Sequence, residues 1–138
     1  MALYYTLPIY KESYKLVYLL FATSSNFSRE YKYTVGQELK DEGLCLIKNL
    51  YRANKAEDKT IYICEARENL ELIRLFLRLM QDFHQLGLKP FVEINQGVES
   101  VSKQLTAWEK YSKNNIVRQG LMMSQGKRAL PESSIARA

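Results

Sequence analysis

The sequence predicts an all-α protein, an antiparallel up-down-up-down four-helix bundle. Apolar residues recur at alternating spacings of three and four along four separate segments, which is the period of amphipathic helices. The 138 residues include only six glycines and three prolines, a composition that argues against a turn-rich all-β fold. The predicted connections between the last three helices are short, and short connections favour antiparallel neighbours.

The first predicted helix begins near Pro8, a residue that the first turn of a helix tolerates. Thr6 is its predicted N-cap, because a hydroxyl oxygen can accept a hydrogen bond from the first turn. The polar run Ser24-Ser25-Asn26 is expected to end it, since these side chains compete for backbone hydrogen bonds. The predicted inward stripe consists of Leu7, Tyr10, Tyr14, Val17 and Phe21.

The second predicted helix has two glycines on its inward stripe, Gly36 and Gly43. Glycine costs a helix about 1 kcal/mol relative to alanine, so we expect a bulky side chain, such as a tyrosine of the first helix, to pack closely there. Thr34 is the predicted N-cap, with Gln37 as its capping-box partner. The full stripe is Gly36, Leu39, Gly43, Leu46, Leu50 and Ala53.

The third predicted helix, about residues 58 to 86, begins at Asp58 as its cap and is apolar on two sides. A four-helix bundle covers one apolar side of a helix, so the second side is expected at a subunit interface. That second side contains Leu72, Leu75 and Leu79. The stripe expected in the core is Ile63, Ala66, Leu70, Ile73, Leu77, Met80 and His84.

The fourth predicted helix follows a stop at Gly87, has Pro90 in its first turn and fades near Asn114-Asn115. Its inward stripe is Phe91, Ile94, Val98, Val101, Leu105 and Trp108. Residues 116–138 show no sustained apolar period and are basic. We therefore divide the chain into a bundle, residues 1–115, and a basic tail, residues 116–138, which we expect to be disordered.

Positive charge is the feature that points to a binding role. The formal net charge is +5, which suggests acidic partners without identifying them. Two trios of basic residues each share a helix face, and two more lie in the first loop, so phosphate backbone could bind at several places. Each stripe could equally be a solvated helix face, and no alternation of aromatic and basic residues marks a base-stacking platform. The predicted nucleic-acid or polymerase contacts are Arg29, Lys32, Lys48, Arg52, Lys55, Arg67, Arg74 and Arg78.

The sequence offers little for catalysis, and we predict no catalytic residue and no cofactor. Arg78 and His84 match the Arg-x5-His spacing of helical ribonucleases of the HEPN type. Residues six apart lie about 120° apart around a helix, and His84 falls on the core stripe, which weakens that hypothesis. The single histidine and two scattered cysteines make no recognisable zinc site. Cys45 and Cys64 are expected to be reduced core thiols of a cytoplasmic protein.

No membrane partner is expected either. No apolar run reaches the length of about 18 residues that a membrane-spanning helix needs, and the first residues do not resemble a secretory signal.

Several sequence stretches carry a family resemblance. The most specific is the loop-to-helix motif from Arg29 to Gln37, and the segment from Lys103 to Trp108 supports it. Further stretches are Pro8-Ile9-Tyr10-Lys11, Ile47-Lys48-Asn49-Leu50-Tyr51-Arg52-Ala53-Asn54, Glu65-Ala66-Arg67 and Ile73-Arg74-Leu75-Phe76-Leu77-Arg78-Leu79. Together they resemble the accessory variability proteins (Avd) of diversity-generating retroelements over residues 8–115. Ser28 departs from the family, in which a proline is common at this position.

The resemblance implies a homopentameric barrel of four-helix protomers. It also implies a partner reverse transcriptase and the template RNA of the retroelement, with a role in mutagenic copying of that template into cDNA. The related proteins of ribosomal RNA intervening sequences match less well, because their Asn-Ile-Ala-Glu-Gly signature is absent. A structural bundle of that type, without a nucleic-acid role, is the alternative, and a neighbouring reverse-transcriptase gene would distinguish the two.

Overall fold

The computed structural model describes residues 7–126, without the side chains of residues 115–119 and 122–126. Within this range the chain is helical apart from short connections, and it contains no strand. The elements are α1 (Pro8–Ser24), the single turn α2 (Arg29–Lys32), α3 (Val35–Lys55), α4 (Thr60–Asp82) and α5 (Leu88–Gly126). The predicted all-α class is confirmed.

The four long helices form a closed bundle. Each packs on the next long helix in the chain, and α1 also packs on α5. The core is aliphatic, and side chains such as Leu46, Ile73 and Val98 are completely buried in it. The predicted antiparallel up-down-up-down four-helix bundle is thus confirmed.

The inward face of α1 differs from the predicted stripe. Tyr10 and Val17 are buried as expected, but Phe21 is exposed and Tyr14 exposes 71% of its surface. The buried residues of α1 are Ile9, Tyr10, Ser13, Leu16, Val17, Leu20 and Ser24. Because apolar side chains occupy most of the circumference of α1, two registers of the same spacing fit its sequence, and only packing in the bundle decides between them.

The predicted stripe of α3 is confirmed in full, since all six of its members are buried. A Cβ added at Gly43 would lie 3.2 Å from side-chain atoms of both Val17 and Leu20. The bulky partners are therefore aliphatic residues of α1, and the prediction that a tyrosine fills this place is wrong. The close approach of α1 to α3 explains why a glycine is used there despite its helix propensity.

Side-chain capping contributes less at the first two long helices than the sequence predicts. Thr6 lies outside the described residues, and Leu7 is the N-cap of α1 without a side-chain bond. Thr34 does precede α3, but its hydroxyl donates to the carbonyl of Glu30 at 2.8 Å instead of accepting from α3. Gln37 forms no capping box, because its amide donates to a carboxylate one turn further along α3.

The C-terminus of α4 comes earlier than predicted, and His84 is its terminating residue. His84 has a φ of 58°, and its N–H donates to the carbonyl of Gln81 at 3.0 Å. The N–H of Gln85 donates to the carbonyl of Met80 at 2.8 Å, which completes a Schellman motif. His84 thus takes the left-handed position that glycine usually fills, and it is exposed. The prediction that it belongs to the core stripe of α4 is wrong.

Two charged side chains organise the connection between α3 and α4. Oδ1 of Asp58 accepts a hydrogen bond at 3.0 Å from the backbone N–H of Thr60, the first residue of α4. The N-cap itself is Lys59, so the prediction that Asp58 is the cap is wrong by one residue. The hydrogen bond from Thr60 holds the pKa of the Asp58 carboxyl below its usual 3.8. Lys59 donates from Nζ to three carbonyls at the end of α3, the nearest being that of Ala53 at 2.7 Å. The Lys59 ammonium lies 5.8 Å from the ring centroid of Trp108, and burial lowers its pKa.

The hydrogen bond from Thr60 to Asp58 predicts a pH dependence of stability. The lowered pKa means that ionised Asp58 stabilises the fold above its unfolded-state pKa, and this contribution disappears as the pH falls through the folded-state value. We expect Asp58→Ala to melt below the wild type at neutral pH, with the difference shrinking below pH 3.8. Asp58→Asn, which keeps an acceptor without a charge, is the control. A difference in melting temperature that persists in strong acid would contradict the assignment.

A polar relay that the sequence did not predict crosses the interface of α3 and α4. Asn49 is only 5% exposed, and its Nδ2 donates to Oδ1 of Asn69 at 2.8 Å. Nδ2 of Asn69 in turn donates to Glu42 Oε2 at 2.7 Å. A buried amide without a partner would carry a desolvation penalty, so the relay fixes how far α3 and α4 are shifted along each other.

The predicted stripe of α5 is confirmed, since its four central members are buried and Phe91 and Trp108 pack partly against the core. Gly87 lies just before α5, where its carbonyl accepts from the N–H of Phe91 at 3.1 Å. It therefore starts α5 and does not stop α4.

Helix α5 extends beyond the predicted boundary between bundle and tail. The sequence places its end near Asn115, whereas the helix continues to Gly126. Residues such as leucine, methionine, glutamine and arginine in this extension favour a helix without supplying an inward stripe, so the apolar period misses it. Residues 127–138, for which the sequence also predicts disorder, lie outside the described residues. None of the helices within residues 7–126 combines the length and apolar character that crossing a membrane requires.

Candidate nucleic-acid interface

The basic trio of α3 is exposed, as predicted. Lys48 and Arg52 line a groove between α3 and α4, and neither forms a salt bridge with any described residue. The opposite wall of the groove carries Glu65 and Glu68, which weaken the positive potential there. Lys55 instead donates to the hydroxyl of Tyr51 at 3.3 Å, and its Nζ lies 5.0 Å from the centroid of that ring. Lys48 and Arg52 are thus the members of the trio that remain available to a phosphate.

The arginines of α4 are held by acids of the chain itself. Arg67 donates to Glu109 at 3.1 Å and to the hydroxyl of Thr106 at 3.0 Å, both on α5. Arg74 pairs with two glutamates, Glu71 on its own helix and Glu99 on α5. Arg67 and Arg74 thus connect α4 to α5. A role of the α4 trio in nucleic-acid binding stays a prediction.

The third arginine of that trio, Arg78, also bears on the nuclease hypothesis. Its Nε lies 3.4 Å from Oδ1 of Asp82, an exposed pair within α4. His84 lies beyond the end of α4 in a left-handed turn. The regular helix that the Arg-x5-His spacing presupposes therefore ends between the two residues.

The two basic residues of the first loop lie on α2, at the end of the bundle where α3 begins. This end is held by a bond from the Ser28 N–H to Oε1 of Gln85 at 2.7 Å, and by a ring contact between Tyr31 and Phe83 at 5.2 Å. At a rise of 1.5 Å per residue, the first turn of α3 is about 20 Å from Lys48. Arg29 and Lys32 thus do not join the α3 trio in a single site.

The second apolar side of α4 is exposed, as predicted for a single protomer. We call Leu72, Leu75 and Leu79 the leucine stripe. Leu75 is 60% exposed, and the other two are each 38% exposed. No described residue of the chain covers these side chains fully, and the predicted oligomer interface stays a prediction.

Sequence reasoning missed a second apolar surface, on α1 and α3. We call it the tyrosine face: it consists of Tyr14, Tyr18, Phe21, Leu44 and Tyr51, all exposed. Lys40 of α3 lies with its Nζ 5.6 Å from the ring centroid of Phe21, so basic and aromatic side chains do alternate here. The wrong register for α1 hid this surface, because it placed Tyr14 and Phe21 in the core.

The cysteines are the remaining correction. Cys45 and Cys64 are free thiols, but both are exposed, so the prediction that they lie in the core is wrong. Within the described residues, no group of histidine, cysteine, aspartate and glutamate side chains is arranged to hold a metal ion.

Comparison with known proteins identifies the family of the chain. No curated protein matches it. A family model described as bAvd-like matches residues 7–112, which span the bundle from the start of α1 into α5. Because this match covers most of the chain, the protein belongs to the bAvd-like family.

Proposed function

We propose that the chain is a non-catalytic accessory protein of a diversity-generating retroelement. In this proposal it acts in the cytoplasm as a homo-oligomer, a pentamer by family resemblance, and binds the reverse transcriptase and template RNA of the element to support mutagenic cDNA synthesis. The observation that carries the proposal is the family match over residues 7–112. The Avd-like family is one of accessory proteins and not of enzymes.

The charge of the chain supports the RNA-binding part. Lys48 and Arg52 are exposed and without salt bridges to described residues, so no acid must be displaced before they meet a phosphate. A homo-oligomer repeats the positive charge of the protomer, so five protomers of +5 would carry a formal charge of about +25. At physiological salt the resulting potential extends about 8 Å. Such a surface holds RNA without reading its sequence.

The leucine stripe supports the homo-oligomer. Exposed leucines in a row along a helix are unusual on a monomer, and they mark surfaces that another protein covers. The stripe runs over two turns of α4, which is otherwise well packed.

The proposal predicts a reverse-transcriptase gene near this one, and the test is co-expression of the two proteins. We expect the two proteins to co-purify, and the isolated chain to bind RNA with an affinity that falls steeply as salt rises. Expression of the tagged polymerase alone is the control for background RNA. A chain that neither co-purifies with the polymerase nor binds RNA would contradict the proposal and fit the intervening-sequence type of bundle.

A further inference from the structure

The protomer exposes two apolar surfaces that differ in place and composition. The tyrosine face lies over the contact of α1 and α3, whereas the leucine stripe lies on α4 alone. In a two-fold dimer, one surface must be complementary to itself. Two unlike surfaces on one protomer are what a head-to-tail contact uses, because each copy offers one surface to each neighbour.

The two surfaces also differ in charge. Lys40 and Lys55 lie over rings of the tyrosine face, at 5.6 Å and 5.0 Å from the ring centroids. On α4, Glu65 and Glu68 precede the leucine stripe by one to two turns, are exposed, and form no salt bridge with described residues. The α4 arginines within the leucine stripe's span, Arg74 and Arg78, already form salt bridges with acidic residues. Lys40 and Lys55 on one surface can pair with Glu65 and Glu68 beside the other when two copies meet, and Lys48 and Arg52 share the groove with these glutamates.

We infer that the tyrosine face of one copy packs on the leucine stripe of the next copy. This contact rests on the homo-oligomer proposed above and assigns its second surface. Aromatic rings and leucine side chains then cover each other, and Lys40 and Lys55 flank the contact on one side while Glu65 and Glu68 flank it on the other.

The heights of the residues along the bundle fit this contact. The bond between Asn49 and Asn69 sets these two residues level, so in antiparallel helices Leu75 is level with Gly43. Gly43 lies next to Val17 and Leu20 of α1. Tyr18 lies between these two residues in the sequence, so it is at about the height of Gly43. In a ring whose axis runs along the bundle, every residue keeps its height from copy to copy. Leu75 of one copy therefore meets Tyr18 of the next at the centre of the contact.

The heights of the residues also match along the rest of the contact. Leu79 is level with residue 39, beside Lys40, whose ammonium lies over the ring of Phe21. Glu65 is level with residue 53, within one turn of Lys55. Aliphatic groups thus meet rings, and carboxylates meet ammonium groups, at matching heights.

A complementation experiment tests the contact. Tyr18→Glu damages only the tyrosine face, and Leu75→Glu damages only the leucine stripe. Both positions are exposed, at 66% and 60%, so the protomer should fold, as circular dichroism can verify. By sedimentation we expect the wild type to assemble, and each variant alone to be a monomer of 16.1 kDa. An equimolar mixture should form a dimer of the two variants and nothing larger, because it contains one intact pair of surfaces.

A variant on α5 serves as the control for this experiment. Tyr111→Glu changes an α5 tyrosine that is 64% exposed, and it should leave the wild-type assembly unchanged. Assembly of Tyr18→Glu like the wild type, or a mixture that stays monomeric, would overturn the contact while leaving the homo-oligomer intact. A monomeric wild type would instead overturn the proposed homo-oligomer itself.

Discussion

Gly43→Leu is expected to lower the free energy of unfolding by about 1–3 kcal/mol, because it overpacks the contact of α1 and α3. A Cβ alone would lie 3.2 Å from the side chains of Val17 and Leu20, both of which are buried. The remaining carbons of a leucine could be placed only if α1 moved away from α3. For a chain of this size, we expect the melting temperature to fall by about 3 °C for each kcal/mol of destabilisation.

Gly97→Ala is the matched control, a glycine on α5 that also faces α1. Its added Cβ would lie 3.6 Å from Leu16, an ordinary van der Waals distance. Alanine favours a helix by about 1 kcal/mol over glycine, so this variant should melt at or above the wild-type temperature. An unchanged melting temperature for Gly43→Leu would show that α1 and α3 do not approach closely, contrary to the structure.

The helices whose polar residues form a continuous face were the ones that the sequence predicted well. In α3, charged and amide residues surround the stripe from Gly36 to Ala53, so a single register satisfies the pattern. In α1, aromatic and aliphatic residues lie on several sides, and Tyr14 can be exposed at little cost because its hydroxyl meets water. The hydrophobic period therefore predicted the inward face of α3 correctly, but it did not distinguish between two possible inward faces of α1.

The features that the sequence did not predict depend on tertiary contacts or on rare backbone conformations. His84 ends α4 at a φ of 58°, a conformation for which the sequence offered glycine at position 87 as the better candidate. The pairing of Arg67 with Glu109 joins residues 42 positions apart. The sequence did predict that each basic trio shares a helix face. Whether a basic trio forms salt bridges depends on the acidic residues of the neighbouring helix. The residue pattern of a single helix carries no information about that neighbour.

Charge reversal of the predicted contacts gives a clearer result on α3 than on α4. Reversing Arg74 and Arg78, two of the predicted contacts, would place a new carboxylate beside Glu71 and Glu99. Loss of binding in that variant could then arise from a disturbed contact of α4 with α5. Lys48 and Arg52 form no salt bridge within the part of the chain that the structure describes, so their reversal reports on the partner.

The double variant Lys48→Glu, Arg52→Glu is expected to weaken RNA binding by about 10-fold or more at physiological salt. The slope of the logarithm of affinity against the logarithm of salt should fall by about two, one for each phosphate that the protein no longer neutralises. Fluorescence anisotropy with a labelled RNA, titrated at several salt concentrations, measures both quantities. Sedimentation must show that the variant still assembles like the wild type, so that a loss of RNA binding cannot come from a lost oligomer.

A second double variant with the same change in net charge isolates the site from the overall field of the protein. Lys103 and Lys110 are exposed on α5, and reversing both should lower affinity only slightly and leave the salt slope nearly unchanged. Equal losses in the two double variants would mean that net charge alone attracts the RNA. Full binding by the α3 variant, with its slope intact, would instead place the RNA at another predicted basic cluster: Arg29 and Lys32, the arginines of α4, or the basic tail.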